Sequence, residues 1–233
     1  MHIRLTFMYD MGERARMLHG FEMTVWLSIV TIAASTVIGV IGVWLLGAHS
    51  VAVRRAVDGY VQFFRNTPPL VQLYFFFFAL SPLLSVHVAG GGSRPMLGNL
   101  FWAAFSLSLF AGAFNVEIFR SGIEAIPRTT LEAAESLGFS RLQTFATIVF
   151  PLAFRIGLPA FTNNVVNLVK TTSLAYAIAV PEMLYSASQI WSDDLNVPEM
   201  MSFILVAYIA LVAIVVWTME WLERRLRIPG YGM

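Results

Sequence analysis

Cysteine is absent from the 233 residues, and lysine occurs once, as Lys170. The first absence excludes a disulfide framework and a thiolate metal site. The second excludes a phosphate-binding loop of the Walker type, which needs Gly-Lys followed by Ser or Thr, because Lys170 follows Val169. His2, His19, His49 and His87 all fall outside or at the edge of the apolar stretches, so no histidine pair is placed at membrane depth for haem or metal. Neither H-E-x-x-H nor G-x-S-x-G occurs, and nothing supports a catalytic site. Charge is scarce as well: 12% of residues are charged, the net charge is +1, and no basic stripe interleaves with aromatics. A nucleic-acid surface is therefore excluded. No cofactor or metal ligand set is expected in this chain.

What remains is apolar. Hydrophobic residues make up 58% of the chain and the mean hydropathy is +0.71, too high for an ordinary soluble domain. Five stretches approach the roughly 20 residues that cross a hydrocarbon core about 30 Å thick. They are Trp26 to Leu46, Val61 or Asn66 to Leu84, Leu97 to Phe119, Leu158 to Val180, and Met201 to Met219. The expected fold is an all-α integral membrane protein with about five transmembrane helices. Residues 1–19 carry Arg4, Asp10, Glu13, Arg14 and Arg16 without an apolar h-region, so no cleavable signal peptide is expected and the first span serves as its own insertion signal. The expected organisation is an external segment 1–19, a membrane domain 20–222 and a tail 223–233.

Basic residues in the loops set the orientation. Arg54, Arg55, Arg65, Arg120, Arg128, Arg141, Arg155, Arg224, Arg225 and Arg227 fall on one side, against Arg4, Arg14, Arg16 and Arg94 on the other. Ten against four puts the C-terminus in the cytoplasm and the N-terminus outside. The segment between spans four and five holds Glu182, Asp193, Asp194 and Glu199 and no basic residue. Gly90-Gly91-Gly92 reads as a flexible external turn, and Phe75 to Phe78 as lipid-facing or core bulk.

Span one carries Ser28, Thr31, Ser35, Thr36, Gly39 and Gly42, and span three carries Ala103, Ala104, Ser106, Ser108, Ala111, Gly112 and Ala113. Such residues let helix backbones approach in lipid, for packing within the chain or for a dimer face. Span four is different: Asn163, Asn167 and Lys170 recur at i, i+4 and i+7, which makes one helical face hydrophilic. Polar groups at membrane depth cost several kcal/mol, on the order of 2–3 or more for a charge, unless they face protein or water. The face lines a translocation path, with Lys170 offered to a carboxylate, or else Lys170 snorkels or pairs with Glu117 while the asparagines join helices. Glu117 and Arg120 are one turn apart and are expected to pair. Arg65, opening R-N-T-P-P, is expected to shape a gate or simply a helix entry.

The polar loop from Thr129 to Pro151 stands out in so apolar a chain. Thr129 and Glu132 read as a capping box, Gly138 as a C-terminal stop, and Ser140 with Gln143 as a second box whose helix Pro151 interrupts. Two short helices joined at a glycine make a rigid knob.

Glu132-Ala133-Ala134, three residues, Gly138, nine residues and Ile148-Val149-Phe150-Pro151 resemble the E-A-A motif of permease subunits in bacterial ABC importers. Arg65 to Leu70, Ala113 to Arg120, Leu158 to Leu174 and the ending from Glu223 to Gly232 are similar to the polar amino acid permeases of the histidine, glutamine and glutamate type. The resemblance covers nearly everything after His19. It departs at Thr129-Thr130, where Gly-Gln is usual, at Phe150, where Leu is usual, and at Thr171, where Asp is frequent. The resemblance implies a type I ABC importer permease fold in a bacterial inner membrane, forming half of a pore with an identical or related permease. It implies ABC ATPase subunits that carry ATP and Mg, an extracytoplasmic substrate-binding protein, and surrounding membrane lipid. Glu132, Ala133, Ala134 and Gly138 would then couple to the ATPase. A polar amino acid or related zwitterion is the implied cargo. An ion-coupled secondary carrier is the alternative, disfavoured by small size and by the lack of a relay of acids within the spans.

Overall fold

The computed structural model describes residues 9–88 and 92–226. Helix α1 spans Met11–Leu46. Asp10 caps it, its Oδ1 accepting the amides of Gly12 at 2.7 Å and Glu13 at 3.0 Å. Its 36 residues extend about 54 Å, longer than the hydrocarbon core, so the charged first turns extend beyond the apolar run. Helix α2, Val51–Asn66, takes up the basic stretch expected as a loop. It is amphipathic, burying Val57, Val61 and Phe64 while Arg55 and Asp58 face outward. Val61 therefore lies inside this helix and does not begin a span. The break comes at Thr67-Pro68, where the proline disfavours helical geometry in the residue before it. Helix α3, Pro69–Tyr74, then starts with proline in its first turn.

Two wide turns have a common cause. Phe75–Leu80, following α3, and Phe145–Val149 both adopt π geometry. Each is closed by a bond from the residue immediately before a proline, Ser81 N–H to the Phe76 carbonyl and Phe150 N–H to the Phe145 carbonyl. Pro82 and Pro151 have no N–H to continue the ordinary ladder, so the register widens by one residue. The expected interruption at Pro151 does not occur. Helix α6, Arg141–Thr144, runs through the π turn into α7, Phe150–Thr171, and a 3₁₀ stretch, Thr172–Ile178. The continuous rod from Arg141 to Ile178 is 38 residues long and begins well before the Leu158 expected from hydropathy.

The remaining elements are the antiparallel strands β1, Ser85–Val88, and β2, Gly92–Pro95, with helices α4, Asn99–Glu124, α5, Arg128–Ser136, α8, Met183–Asp194, and α9, Val197–Leu226. The hairpin is a small addition to an otherwise helical chain. Gly90 and Gly91 of the expected turn, Arg4, and Arg227 to Gly232 of the tail lie outside the described residues. Among the described residues four helices are long and apolar enough to cross a membrane, and α2 with Pro69–Leu84 makes a fifth if the bent pair counts as one span.

Contacts divide the chain into two compact units. One comprises Met1–Ala33, Thr67–Ser108 and Asn167–Ile214 and is centred on Met17, Met183, Ala187, Ile190, Met200 and Ile204. The other comprises Ala34–Asn66, Leu109–Val166 and Val215–Met233, with one cluster at Val57, Val61 and Val116 and another at Ile126, Val149 and Ala153. In the second unit Gly39 packs on Asn115 and Phe119, Gly42 on Val116, and Gly112 on Ile38 and Tyr60. The small residues of spans one and three thus serve packing within the chain, where any side chain would hold the backbones apart.

Candidate functional site: the polar knob and the polar face

Helix α5 has its cap two residues before the expected Thr129. Its N-cap is Pro127, with no side-chain cap, and Thr130 N–H bonds to the Pro127 carbonyl at 3.0 Å. Proline presets its own φ at −58° and starts the turn, which leaves Thr129 already inside the helix and Glu132 without a cap to complete. Gly138 behaves as expected. At φ +77° it lets its own N–H reach the Glu135 carbonyl and Phe139 N–H reach that of Ala134, the paired bonds of a Schellman stop. The second box is complete: Gln143 N–H donates to Ser140 Oγ and Ser140 N–H donates to Gln143 Oε1.

The knob is anchored on one side. Ala134 is buried, and Leu131 packs against the Ile126, Val149 and Ala153 cluster at the feet of α4 and α7. Arg141 donates to the Gly47 carbonyl, and its guanidinium lies 5.1 Å from the Trp44 ring, which itself meets Phe145 at 4.7 Å. On the other side Glu132 and Ala133 are exposed, beside Leu137 and Leu142, which are 76% and 63% accessible. An acidic group set among exposed aliphatics on a braced helix pair suits a protein socket better than water.

Arg65, Glu117 and Arg120 come together, as expected for the Glu117–Arg120 pair. Arg120 Nη2 is 2.9 Å from Glu117 Oε1, Arg65 Nη1 is 3.9 Å from the same oxygen, and Arg120 also approaches Asp58 at 3.6 Å and Glu124 at 3.7 Å. Arg65 additionally covers the Phe114 ring at 5.5 Å. All five charged groups are partly exposed, so each pair contributes at most about 1 kcal/mol.

Asn163, Asn167 and Lys170 are all exposed along α7, on the single stripe that their spacing predicts. Lys170 forms no ion pair among the described residues, so the expected alternative of a Lys170–Glu117 pair is not realised. The neighbouring Asn164 points the other way and is buried. Its Nδ2 donates to Asn115 Oδ1 at 2.8 Å and to the Ala111 carbonyl at 3.1 Å, and Asn115 Nδ2 in turn donates to Ser35 Oγ at 3.3 Å. This clasp of α1, α4 and α7 was not foreseen for Asn115. Asn115 is a lone polar residue in an apolar run, the one signal that the sequence offered.

Glu182 is the other residue that sequence reasoning misplaced. Grouped by the sequence only with the acids of the segment between spans four and five, it is completely buried as the N-cap of α8.

These elements combine long apolar helices, a braced polar knob and an exposed polar stripe along α7. Residues 38–228 match the family described as the binding-protein-dependent transport system inner membrane component. The octopine transport system permease protein OccM of Rhizobium meliloti is 31% identical over 221 residues, covering 90% of this chain and 87% of the relative. The glutamate/aspartate import permease protein GltJ of Escherichia coli strain K12 is 27% identical over 218 residues, covering 91% and 87%. The crystal structure of an amino acid ABC transporter with histidines superposes with a TM-score of 0.80 at 21% identity, covering 97% of this chain and all of that one, which shows a shared fold. This chain belongs to the family of binding-protein-dependent transport system inner membrane components. It is a multi-pass permease subunit of an ABC importer, which works with a substrate-binding protein and a separate ATPase. The secondary-carrier alternative finds no support.

Proposed function

We propose that the importer carries a polar amino acid or a related small zwitterion, with this chain forming half of the pore beside an identical or homologous permease and surrounded by lipid. The names of the relatives, which include octopine and glutamate/aspartate permeases, support the cargo class. The N-terminus lies outside and the C-terminus in the cytoplasm, as the arginine distribution requires. The membrane domain runs over residues 20–222, followed by the tail 223–233. ATP and Mg bind the partner ATPase, and this chain holds no cofactor or metal of its own.

The exposed Glu132–Ala133 edge, backed by buried Ala134, is the observation that carries the coupling role. A helix braced by Arg141, Trp44 and the Leu131 cluster transmits force rather than bending, so closure of the ATPases rocks the permease as a rigid body. Gly138 sets the angle of the knob. Asn163, Asn167 and Lys170 line the path, with Lys170 available to a carboxylate. The Arg65, Glu117 and Arg120 cluster fastens the inner end as a gate.

Glu132→Ala and Gly138→Leu test this reading. Both variants are expected to insert at normal levels and to lose ATPase co-purification and uptake together; retention of both would refute the coupling role.

A further inference from the structure

A polar knot lies at the centre of the first unit. Glu182 Oε1 accepts the Tyr185 amide at 2.8 Å, and Oε2 accepts the Leu184 amide at 3.0 Å and the Tyr208 hydroxyl at 3.0 Å. Thr24 of α1 accepts the Met183 amide at 3.0 Å. The Tyr208 hydroxyl also meets the hydroxyls of Thr24 and Thr172. Glu182, Thr24 and Thr172 have no accessible surface. Four elements thus converge: α1, the 3₁₀ stretch that continues α7, α8 and α9. The approach of α1 to α8 is close enough that a Cβ on Gly20 would sit 2.5 Å from Ser186 Oγ. Thr172 is two residues from Lys170, so the knot fixes the end of the rod that carries the polar stripe.

Among the described residues the carboxyl has no compensating cation. The charged and titratable residues of the elements packed around it are Glu13, Arg14, Arg16, His19 and Glu22 on α1, Arg155 and Lys170 on α7, Tyr176 on the 3₁₀ stretch, Tyr185, Asp193 and Asp194 on α8, and Glu199, Tyr208, Glu220, Glu223, Arg224 and Arg225 on α9. Among the described residues none of the cations lies within ion-pair distance of Glu182; Arg16 pairs instead with Asp193 at 3.2 Å on the exposed surface. Burial therefore pushes the Glu182 carboxyl up to about 7, against the smaller opposing pull of its amide and hydroxyl donors. The Tyr208 hydroxyl can serve both forms, donating to the carboxylate or accepting from the acid.

We propose that Glu182 is a positioning residue for transport, whose carboxyl holds α8 and the Lys170 end of the rod against α1 and α9, more tightly with a proton than without one. Since the folded chain retains that proton up to about pH 7 while an unfolded glutamate loses it near 4.5, the folded state binds more protons in that window. Stability is fully present below the lower value and is lost as pH rises through the upper one. The release of the Lys170 end then follows the pH of the external face.

Full-length permease in lipid nanodiscs tests this without reference to cargo or ATPase. Its unfolding midpoint is expected to fall by about 5 °C or more between about pH 5 and pH 8. Glu182→Gln, which keeps the shape of the protonated acid, is expected to hold one midpoint across that range. Tyr208→Phe, which removes a donor to the carboxylate, is expected to move the fall to higher pH. A flat wild-type profile, or a Glu182→Gln profile parallel to the wild type, would overturn the proposal, because a purely structural role lowers the midpoint equally at every pH. Should Glu182→Gln fail to fold, an unmoved transition in Tyr208→Phe overturns it alone.

Discussion

Each of the two compact units is fastened by a buried polar knot that draws a hydroxyl from α1, yet the knots differ in chemistry. Ser35, Asn115 and Asn164 bind one another through neutral amide and hydroxyl groups, whereas Thr24, Tyr208 and the amides of α8 converge on the carboxyl of Glu182. An amide keeps its donors and acceptors at every physiological pH, so the first clasp is permanent. A carboxyl changes both its charge and its donor count when it titrates. The contrast assigns constancy to the unit that carries the polar knob and adjustability to the unit that carries Lys170.

Removing the centre of each knot sharpens the contrast. Glu182→Ala deletes a helix cap and removes the carboxylate acceptor of the Tyr208 hydroxyl, and the expected loss is about 2–4 kcal/mol, read as a lower unfolding midpoint. Asn164→Leu removes the donor to the buried Asn115 Oδ1 at a cost of about 1–2 kcal/mol, and its melting profile should keep the wild-type dependence on pH. If that variant changed the pH dependence, the two knots would not be separate devices. Asn163→Ala, one residue away but exposed, should leave the midpoint within about 0.5 kcal/mol of wild type while slowing uptake, and Lys170→Met should do the same. Unchanged uptake in both would remove this stripe from the path. The Arg120 cluster is expected to have a small effect that depends on salt. Arg120→Gln should cost under about 1 kcal/mol, shrinking further in high salt.

Much of the fold was legible because its signals are local. Apolar runs, the i, i+4, i+7 stripe of α7 and the αL glycine at Gly138 need no knowledge of distant residues. The errors fell where one local rule met another. Thr129 reads as a cap until Pro127, two residues earlier, starts the helix first. Pro151 reads as a stop, yet the rod absorbs it by widening a single turn, as it does before Pro82. Asn163 and Asn164 are adjacent and chemically identical, and one residue of helical rotation places one on the exposed stripe and the other in the clasp.

Composition by itself determined that this chain lives in a membrane and that it lacks a phosphate-binding loop, because hydrophobic transfer energy and the identity of one lysine are properties of residues taken singly. The resemblance to the E-A-A motif, carried by residues close together in the sequence, pointed to the transport family that the match over residues 38–228 shows. Tertiary structure alone decided that Glu182 is a buried cap, that Asn115 joins three helices, and that Lys170 stands without an ion-pair partner among the described residues. Burial and hydrogen bonding depend on groups far apart in the sequence, here Thr24 and Tyr208 for Glu182 and Ser35 and Asn164 for Asn115, and only the packed helices bring them together.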